Sequence, residues 1–183
     1  MGNDDLNMNR KLIDRCKNGD AAAQFLLYKK FSKAMYNIAI RFLNNKMDAE
    51  DVLQESFITA FMKLSSLSSY DAFGSWLKRI VINNCITHLN KNKIEFDDID
   101  DSVSSDYQDD SDDSLNIDPG VVHEAIKILP RGGRTIVVLH ALEGYKHREI
   151  AEMLTISEST SRTQYKRALN ILFNNLKEKI YVG

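Results

Sequence analysis

The sequence predicts an all-α fold: two small helical domains joined by an acidic linker. Three observations predict it. Apolar residues recur at three- and four-residue intervals over most of the 183 residues. Nothing in residues 1–92 alternates as a strand would. A block crowded with Asp and Ser, residues 93–117, has no apolar period at all and divides the chain into 1–92 and 118–183.

Residues 7–18 form the first short helix, with Leu12, Ile13 and Cys16 on one face. "NGD" at 18–20 ends it, and Asp20 is placed to cap the long run that follows. In that run Phe25, Leu26, Tyr28, Phe31, Met35, Ile38, Ala39 and Phe42 mark a helix ending near "LNNK". Asp48 is the expected cap of the next, "AEDVLQESFITAFMKL", with a stripe of Val52, Leu53, Phe57, Ala60, Phe61 and Leu64. Glu50 and Asp51 sit in its first turn, where the helix dipole favours them. The Ser-rich "SSLSSYDA" (65–72) reads as a loop, and "FGSWLKRIVINNCITHLNKN" as a fourth helix directing Phe73, Trp76, Leu77, Ile80 and Val81 to the core.

Beyond the linker, "DPGVVHEAIKIL" opens a helix with Asp118 as cap and Pro119 at its first position. "PRGGRTIVVLHALEG" is a second short helix closed by Gly144. Two more follow in "REIAEMLTISESTSRTQYKRAL" (148–169), the last ending around Ile180. This stretch has the form of a helix-turn-helix. Ile150, Ala151 and Leu154 line the first inner face, with Ala151 as the small residue at the crossing. Ile156 fills the turn, Ser157 caps the second helix, and Tyr165, Ala168, Leu169 and Leu172 close its buried side. Ser159, Thr160, Arg162, Thr163, Lys166 and Arg167 are left on a broad outer side, suited to phosphates and base edges. A plain helical hairpin with a solvated basic face shares that pattern. Thr155 stands where such turns often carry Gly for a positive φ.

The net charge of −2 conceals the charge layout. Residues 93–118 hold eleven Asp and Glu against one Lys; without them the chain is +8, divided as +4 for 1–92 and +4 for 119–183. Two mildly basic ends thus flank one strongly acidic segment. Cys16 and Cys85 lack metal or disulfide spacing and read as plain thiols. The four His (His88, His123, His140, His147) share no ligand spacing, so no metal or other cofactor is expected. No glycine-rich phosphate loop, nucleophile elbow or paired catalytic carboxylates appear, and no enzyme is expected. The polar opening "MGNDDLNMNRKL" is no signal peptide, and Leu6 spoils the myristoylation pattern that "MGND" begins. No apolar run approaches the roughly 18 residues of a membrane span, so a cytoplasmic protein is expected.

"LPRGGRTIVVLHALEGYKHREIAEMLTISESTSRTQYKRAL" (129–169) resembles region 4 of the extracytoplasmic-function sigma factors. "DAEDVLQESFITAFMKL" (48–64) followed by "AFGSWLKRIVINN" (72–84) resembles region 2 of the same family, in the same order. The resemblance implies an alternative sigma factor that binds core RNA polymerase, directs it to promoters and helps melt them, the polymerase itself performing nucleotidyl transfer. It implies that the 48–64 helix docks on the β′ clamp helices through Asp48, Asp51, Gln54 and Glu55, and that the C-terminal domain meets the β flap.

Tyr70, Phe73 and Asn83 correspond to the part that captures a flipped −10 base, with Lys78 and Arg79 meeting phosphate; Phe73 and Trp76 also fit the core stripe. Arg162, Thr163, Lys166 and Arg167 match −35 readers, with Arg148, Ser159 and Thr160 nearer the backbone. Ser161 departs from the Val of many members, which leaves the bases read open. An anti-sigma factor is the further partner implied.

The linker of about 25 residues spans at most some 85 Å extended but only about 28 Å as a free coil. Promoter elements some 17 base pairs apart lie about 58 Å from one another. Its Asp97–Asp113 carboxylates either imitate nucleic-acid phosphates in the basic channels of polymerase or merely keep the chain soluble. Two other readings fit the C-terminal motif alone: a helix-turn-helix regulator acting without polymerase, and a helical adaptor or sequestering protein. Neither needs the 48–84 block.

Overall fold

The structure is a computed structural model and describes residues 3–91 and 124–181, with side chains for 9–91 and 124–175. The acidic segment and the cap expected at Asp118–Pro119 lie outside the described residues. The chain divides into two compact units, Met1–Asn92 and Lys93–Gly183.

The first unit packs four helices: α1 (Asn3–Lys17), α2 (Ala21–Leu43), α3 (Lys46–Met62) and α4 (Phe73–Lys91). Asp20 caps α2, its Oδ1 accepting from the Ala23 N–H at 3.1 Å while Oδ2 pairs with Arg15 at 2.7 Å. The Ala23 hydrogen bond, then Arg15, holds the Asp20 carboxyl below its ordinary range. Asn44 ends α2 in the left-handed region (φ 50°), a conformation that Asn tolerates better than most residues.

The cap of α3 differs from the expectation. Asn45, not Asp48, caps it, accepting from Met47 N at 2.9 Å and Asp48 N at 3.4 Å. Asp48 falls in the first turn, and its carboxylate lies 3.6 Å from His88 of α4.

The core is Ile13, Ala23, Leu27, Ala39, Phe42, Val52, Phe57, Ala60, Leu64, Phe73, Leu77, Val81, Cys85 and Leu89. Phe25 and Leu26, expected inside, are 64% and 45% exposed, and Ala23 and Leu27 take their place. The reason is phase. Apolar side chains run unbroken from Phe25 to Tyr28, and the row Ala23, Leu27, Met35, Ala39 decides which of them face inward. Trp76, Ile80 and Phe61 are half-buried. Burial pushes the Cys85 thiol up to about 12 and the Cys16 thiol up to about 11, so both stay protonated. Between α3 and α4 the chain makes two 3₁₀ turns, Leu64–Ser66 and Tyr70–Ala72.

The second unit has a helical segment at 124–127, then α5 (Arg131–Val137), α6 (His147–Leu154) and α7 (Glu158–Tyr181). Pro130 precedes α5, which runs on as a π-helical turn, Val138–Leu142, before Gly144 (φ 77°) reverses the chain. A Cβ on Gly133 would stand 3.2 Å from that of Ala168, so α5 and α7 approach as closely as a side-chain-free position permits. Ile126, Ile136, Leu139, Ile150, Leu154 and Ala168 fill the core. Leu169, expected inside, is 40% exposed, and Tyr165 and Leu172 are half-buried. No described helix is long and apolar enough to cross a membrane.

Candidate nucleic-acid interface

α6, the turn and α7 build the helix-turn-helix. Glu149 at the third position of α6 accepts from the Lys146 backbone N–H at 2.7 Å, half of a capping box. Thr155 takes the left-handed conformation (φ 57°, ψ 44°), and the Ile156 N–H returns to the Ala151 carbonyl at 3.0 Å. Ser157 then caps α7, its Oγ accepting from Thr160 N at 3.0 Å. The same Oγ meets the hydroxyls of Ser159 at 2.8 Å and Thr160 at 2.7 Å, so both of those candidates share in the cap.

Ser159, Arg162 and Lys166 stand exposed on α7, while Thr160, Thr163 and Arg167 are half-buried. Arg162 Nη2 donates to Glu158 Oε1 at 2.6 Å. Arg148 is exposed on α6, its Nε 3.7 Å from Glu152. The outer side is therefore basic, but internally engaged.

Its inner side holds a cluster that spacing did not reveal. Ser161 is fully buried and its Oγ lies 2.9 Å from His147 Nδ1. The His140 ring stacks on His147 with centroids 4.1 Å apart, and both rings meet Tyr165 edge-on. His140 donates from Nδ1 to the Tyr145 carbonyl at 2.7 Å, since a carbonyl can only accept. The reversal at Gly144 brings together two histidines seven residues apart. Burial foremost, then His140 and Arg162, pushes the His147 pKa below its ordinary value, with Glu158 opposing. Among the described residues no three His, Cys, Asp or Glu are grouped to hold a metal ion.

In the first unit the exposed residues of α3 form a row. Met47, Asp51, Gln54, Ile58 and Met62 follow one another at three- and four-residue steps, with Glu55 beside them. Met47, Ile58 and Met62 are 73%, 60% and 78% exposed. Asp51, Gln54 and Glu55 are thus solvent-facing as expected, whereas Asp48 is half-buried beside His88. A shallow groove of about 440 Å³ runs alongside between α2 and α3, lined by Tyr28, Ser32, Lys33 and Tyr36 opposite Glu50, Leu53 and Gln54.

The four-helix unit separates the remaining candidates. Phe73 is 2% exposed, held edge-on by Phe31 at 5.1 Å and tilted on Trp76 at 5.9 Å. Of the two places open to it, the core stripe and the −10 loop, the structure puts Phe73 in the core. Arg79 and Asn83 are exposed one turn apart on α4, and Lys78 is half-buried. Tyr70 is half-buried against α1, where its hydroxyl donates to Asp14 at 2.6 Å.

Two family models match, Sigma-70 region 2 over residues 27–94 and Sigma-70 region 4 over residues 120–172. The chain belongs to the sigma-70 family. Within it, this sigma factor is of the extracytoplasmic-function type. It is 29% identical over 171 residues to the RNA polymerase sigma-H factor of Pseudomonas aeruginosa, covering 87% of this chain and 89% of that one. To the ECF RNA polymerase sigma-E factor of Haemophilus influenzae it is 27% identical over 178 residues, 91% and 94% of the two chains. The fold is shared with the sigma factor RpoE of Bartonella quintana, solved with the anti-sigma factor NepR, at a TM-score of 0.52 and 21% identity over 83% of this chain and 95% of that one. The exposed row of α3 lies inside the region 2 match, and the helix-turn-helix inside the region 4 match. As a sigma factor the chain directs RNA polymerase in transcription initiation.

Proposed function

We propose that residues 1–92 dock on core RNA polymerase and engage the −10 element, and that residues 118–183 read the −35 element, joined by the segment 93–117. The observation that carries this is the solvent-facing row of α3. Three large, mostly exposed apolar side chains flank Asp51, Gln54 and Glu55, a pattern suited to a partner with apolar knobs and basic rims. The β′ clamp helices are that partner in this reading, and the β flap receives the C-terminal unit. Asp51, Gln54 and Glu55 make the polar contacts, joined by Met47, Ile58 and Met62, while Asp48 acts through the start of the helix.

Around the −10 element, Tyr70 receives an unpaired base and Arg79, Asn83 and Lys78 meet the strand. In the C-terminal unit Arg162, Thr163, Lys166 and Arg167 face the −35 bases and phosphates, with Arg148, Ser159 and Thr160 at the backbone. The protein performs no chemistry of its own, nucleotidyl transfer being the work of polymerase. An anti-sigma factor, as seen with the sigma factor of similar fold, is the expected regulator.

Purified chain added to core polymerase on a promoter library should give run-off transcripts from a subset of templates; none from any template overturns the reading. Ile58→Lys combined with Met62→Lys should leave the melting temperature nearly unchanged, since both side chains are largely exposed and Lys suits the C-terminal end of α3. It should weaken core binding by about 10- to 100-fold, the effect of losing two buried apolar anchors. Unchanged core affinity would remove α3 from the docking face.

A further inference from the structure

α1 lies outside both family matches, 27–94 and 120–172, yet four of its polar side chains contact the rest of the first unit. Arg15 pairs with Asp20 at the start of α2, and the other three, Arg10, Asp14 and Lys17, converge on the 3₁₀ turn Tyr70–Ala72. Arg10 Nη2 donates to both carboxylate oxygens of Asp71, at 2.9 and 3.3 Å. The Tyr70 hydroxyl donates to Asp14 Oδ1 at 2.6 Å, the length of a charge-assisted bond. Lys17 Nζ stands 4.6 Å from the centroid of the Tyr70 ring and 3.5 Å from its hydroxyl. Arg10, Asp14 and Lys17 are spaced to fall on one face of α1.

Outside α1, a side-chain hydrogen bond to the turn comes from Ser75, whose Oγ donates to the Ala72 carbonyl at 2.9 Å. Ser68, Ser69 and Asp71 are exposed, Tyr70 and Ala72 half-buried, and only the flanking Leu67 and Phe73 reach the core. The polar and cation–π contacts that orient the Tyr70 ring come from α1.

We propose that Arg10, Asp14 and Lys17 are positioning residues for −10 capture: α1 presents the Tyr70 ring, one face covered by the Lys17 ammonium, so that an unpaired base stacks on what remains open. The inference rests on the reading of Tyr70 as the residue that receives that base. A cation on one side of an aromatic ring is held by the ring's quadrupole and fixes it in place. A ring fixed beforehand binds a base without the ordering cost that a free tyrosine incurs. Lys17 also brings positive charge to the phosphate that must follow the base. Exposed pairs of this kind contribute little to folding, so their loss should loosen the loop and leave the helical bundle standing.

The test uses holoenzyme, core polymerase with the full chain, on a promoter selected from a random library. 2-Aminopurine in the −10 non-template strand reports base flipping. Lys17→Ala and Asp14→Ala should each slow opening by about 3- to 10-fold, as expected when a contact side chain must be ordered on binding. Lys17→Arg and Asp14→Asn, which keep the cation and the acceptor, should open near the wild-type rate. Arg10→Asp should slow opening, and adding Asp71→Arg should restore it. Core affinity and melting temperature should stay constant throughout.

Tyr70→Ala separates the two layers. If it slows opening while the α1 variants do not, the role of α1 is overturned and the reading of the loop stands. If Tyr70→Ala itself opens at the wild-type rate, the reading of the loop fails and the inference falls with it. Loss of core affinity or of melting temperature in step with opening would make α1 merely structural and overturn the proposal.

Discussion

In α7, Arg162 reaches back across one turn to Glu158, 2.6 Å away, with side chains 60% and 44% exposed. That pair competes with any phosphate Arg162 is to bind. An exposed i,i+4 pair is worth about 0.3–0.5 kcal/mol, so releasing Arg162 weakens binding roughly twofold. The Glu158 carboxylate also repels a phosphate bound about 7 Å away by roughly 0.6 kcal/mol in water, less than half of it surviving physiological salt. Together these amount to about 0.5–1 kcal/mol, so Glu158→Gln should tighten promoter binding about two- to fivefold. The same substitution removes a favourable charge from the first turn of α7, which lowers folding stability by about 0.3–1 kcal/mol. Affinity and stability should therefore move in opposite directions, which a general loosening of the helix cannot produce. Arg162→Ala is the complement: losing one phosphate contact should reduce the salt slope by about 0.9. The assay is fluorescence anisotropy of labelled promoter DNA with holoenzyme at several salt concentrations, beside thermal melting of the free protein. Weaker or unchanged binding by Glu158→Gln, together with an unaltered slope in Arg162→Ala, would refute the placement of Arg162 at the DNA.

The remaining predictions concern stability. Thr155 holds φ 57° in the turn, a conformation costing an L residue about 1–2 kcal/mol, part of which Gly returns through its freer unfolded chain. Thr155→Gly should thus stabilise the second unit by about 0.5–1 kcal/mol, read as a higher melting temperature with unchanged DNA affinity. His147 has a folded pKa below its unfolded value near 6.5, so the unfolded chain binds more protons in the window below that value. The stability it contributes is full above about pH 6.5 and lost as pH falls through the folded pKa. The urea midpoint should fall from pH 7.5 to pH 5.5, and His147→Asn should flatten that fall; an equal fall in the variant would remove His147 as its cause.

Helices were legible from sequence wherever a single apolar phase existed, and misread where two competed. In α2 the unbroken run Phe25–Tyr28 offers two stripes, and only packing against α3 and α4 selects Leu27 over Phe25 and Leu26. Asp48 was the more familiar cap, but the chain turns three residues earlier, where Asn45 can accept two N–H groups. Phe73 fitted both the core stripe and the −10 loop, and the ring of Phe31 from another helix decided for the core. The α3 row could have been found by asking which apolar residues fall off the core stripe, since Met47, Ile58 and Met62 keep helical spacing of their own. The grip of α1 on Tyr70 could not, because its partners lie 53 to 61 residues apart and no local period links them. The same holds for the His140–His147 stack, which needs the π-helical turn and the reversal at Gly144 before spacing means anything.

The recognition face explains why this sigma factor should depend on polymerase for its hold on the −35 element. Of the seven candidate readers, Ser159 and Thr160 share their hydroxyls with Ser157, Arg162 is paired with Glu158, and Arg148 lies near Glu152. Lys166 stands exposed on α7, while Arg167 is half-buried. DNA that engages these groups competes with those contacts. At about 0.3–0.5 kcal/mol apiece, three such competitions weaken binding by roughly 5- to 13-fold relative to a face held open. The net charge of −2 supplies no compensating long-range attraction, although the chain outside 93–118 is +8. Such a face binds usefully only when its partner is already local. In the proposed reading, docking of the first unit on polymerase would supply that, raising the effective concentration of promoter at the second unit to the millimolar range typical of short tethers. On that reading, weak intrinsic binding at the second unit combined with docking of the first would leave the factor silent when free and selective once loaded, as a dissociable subunit requires.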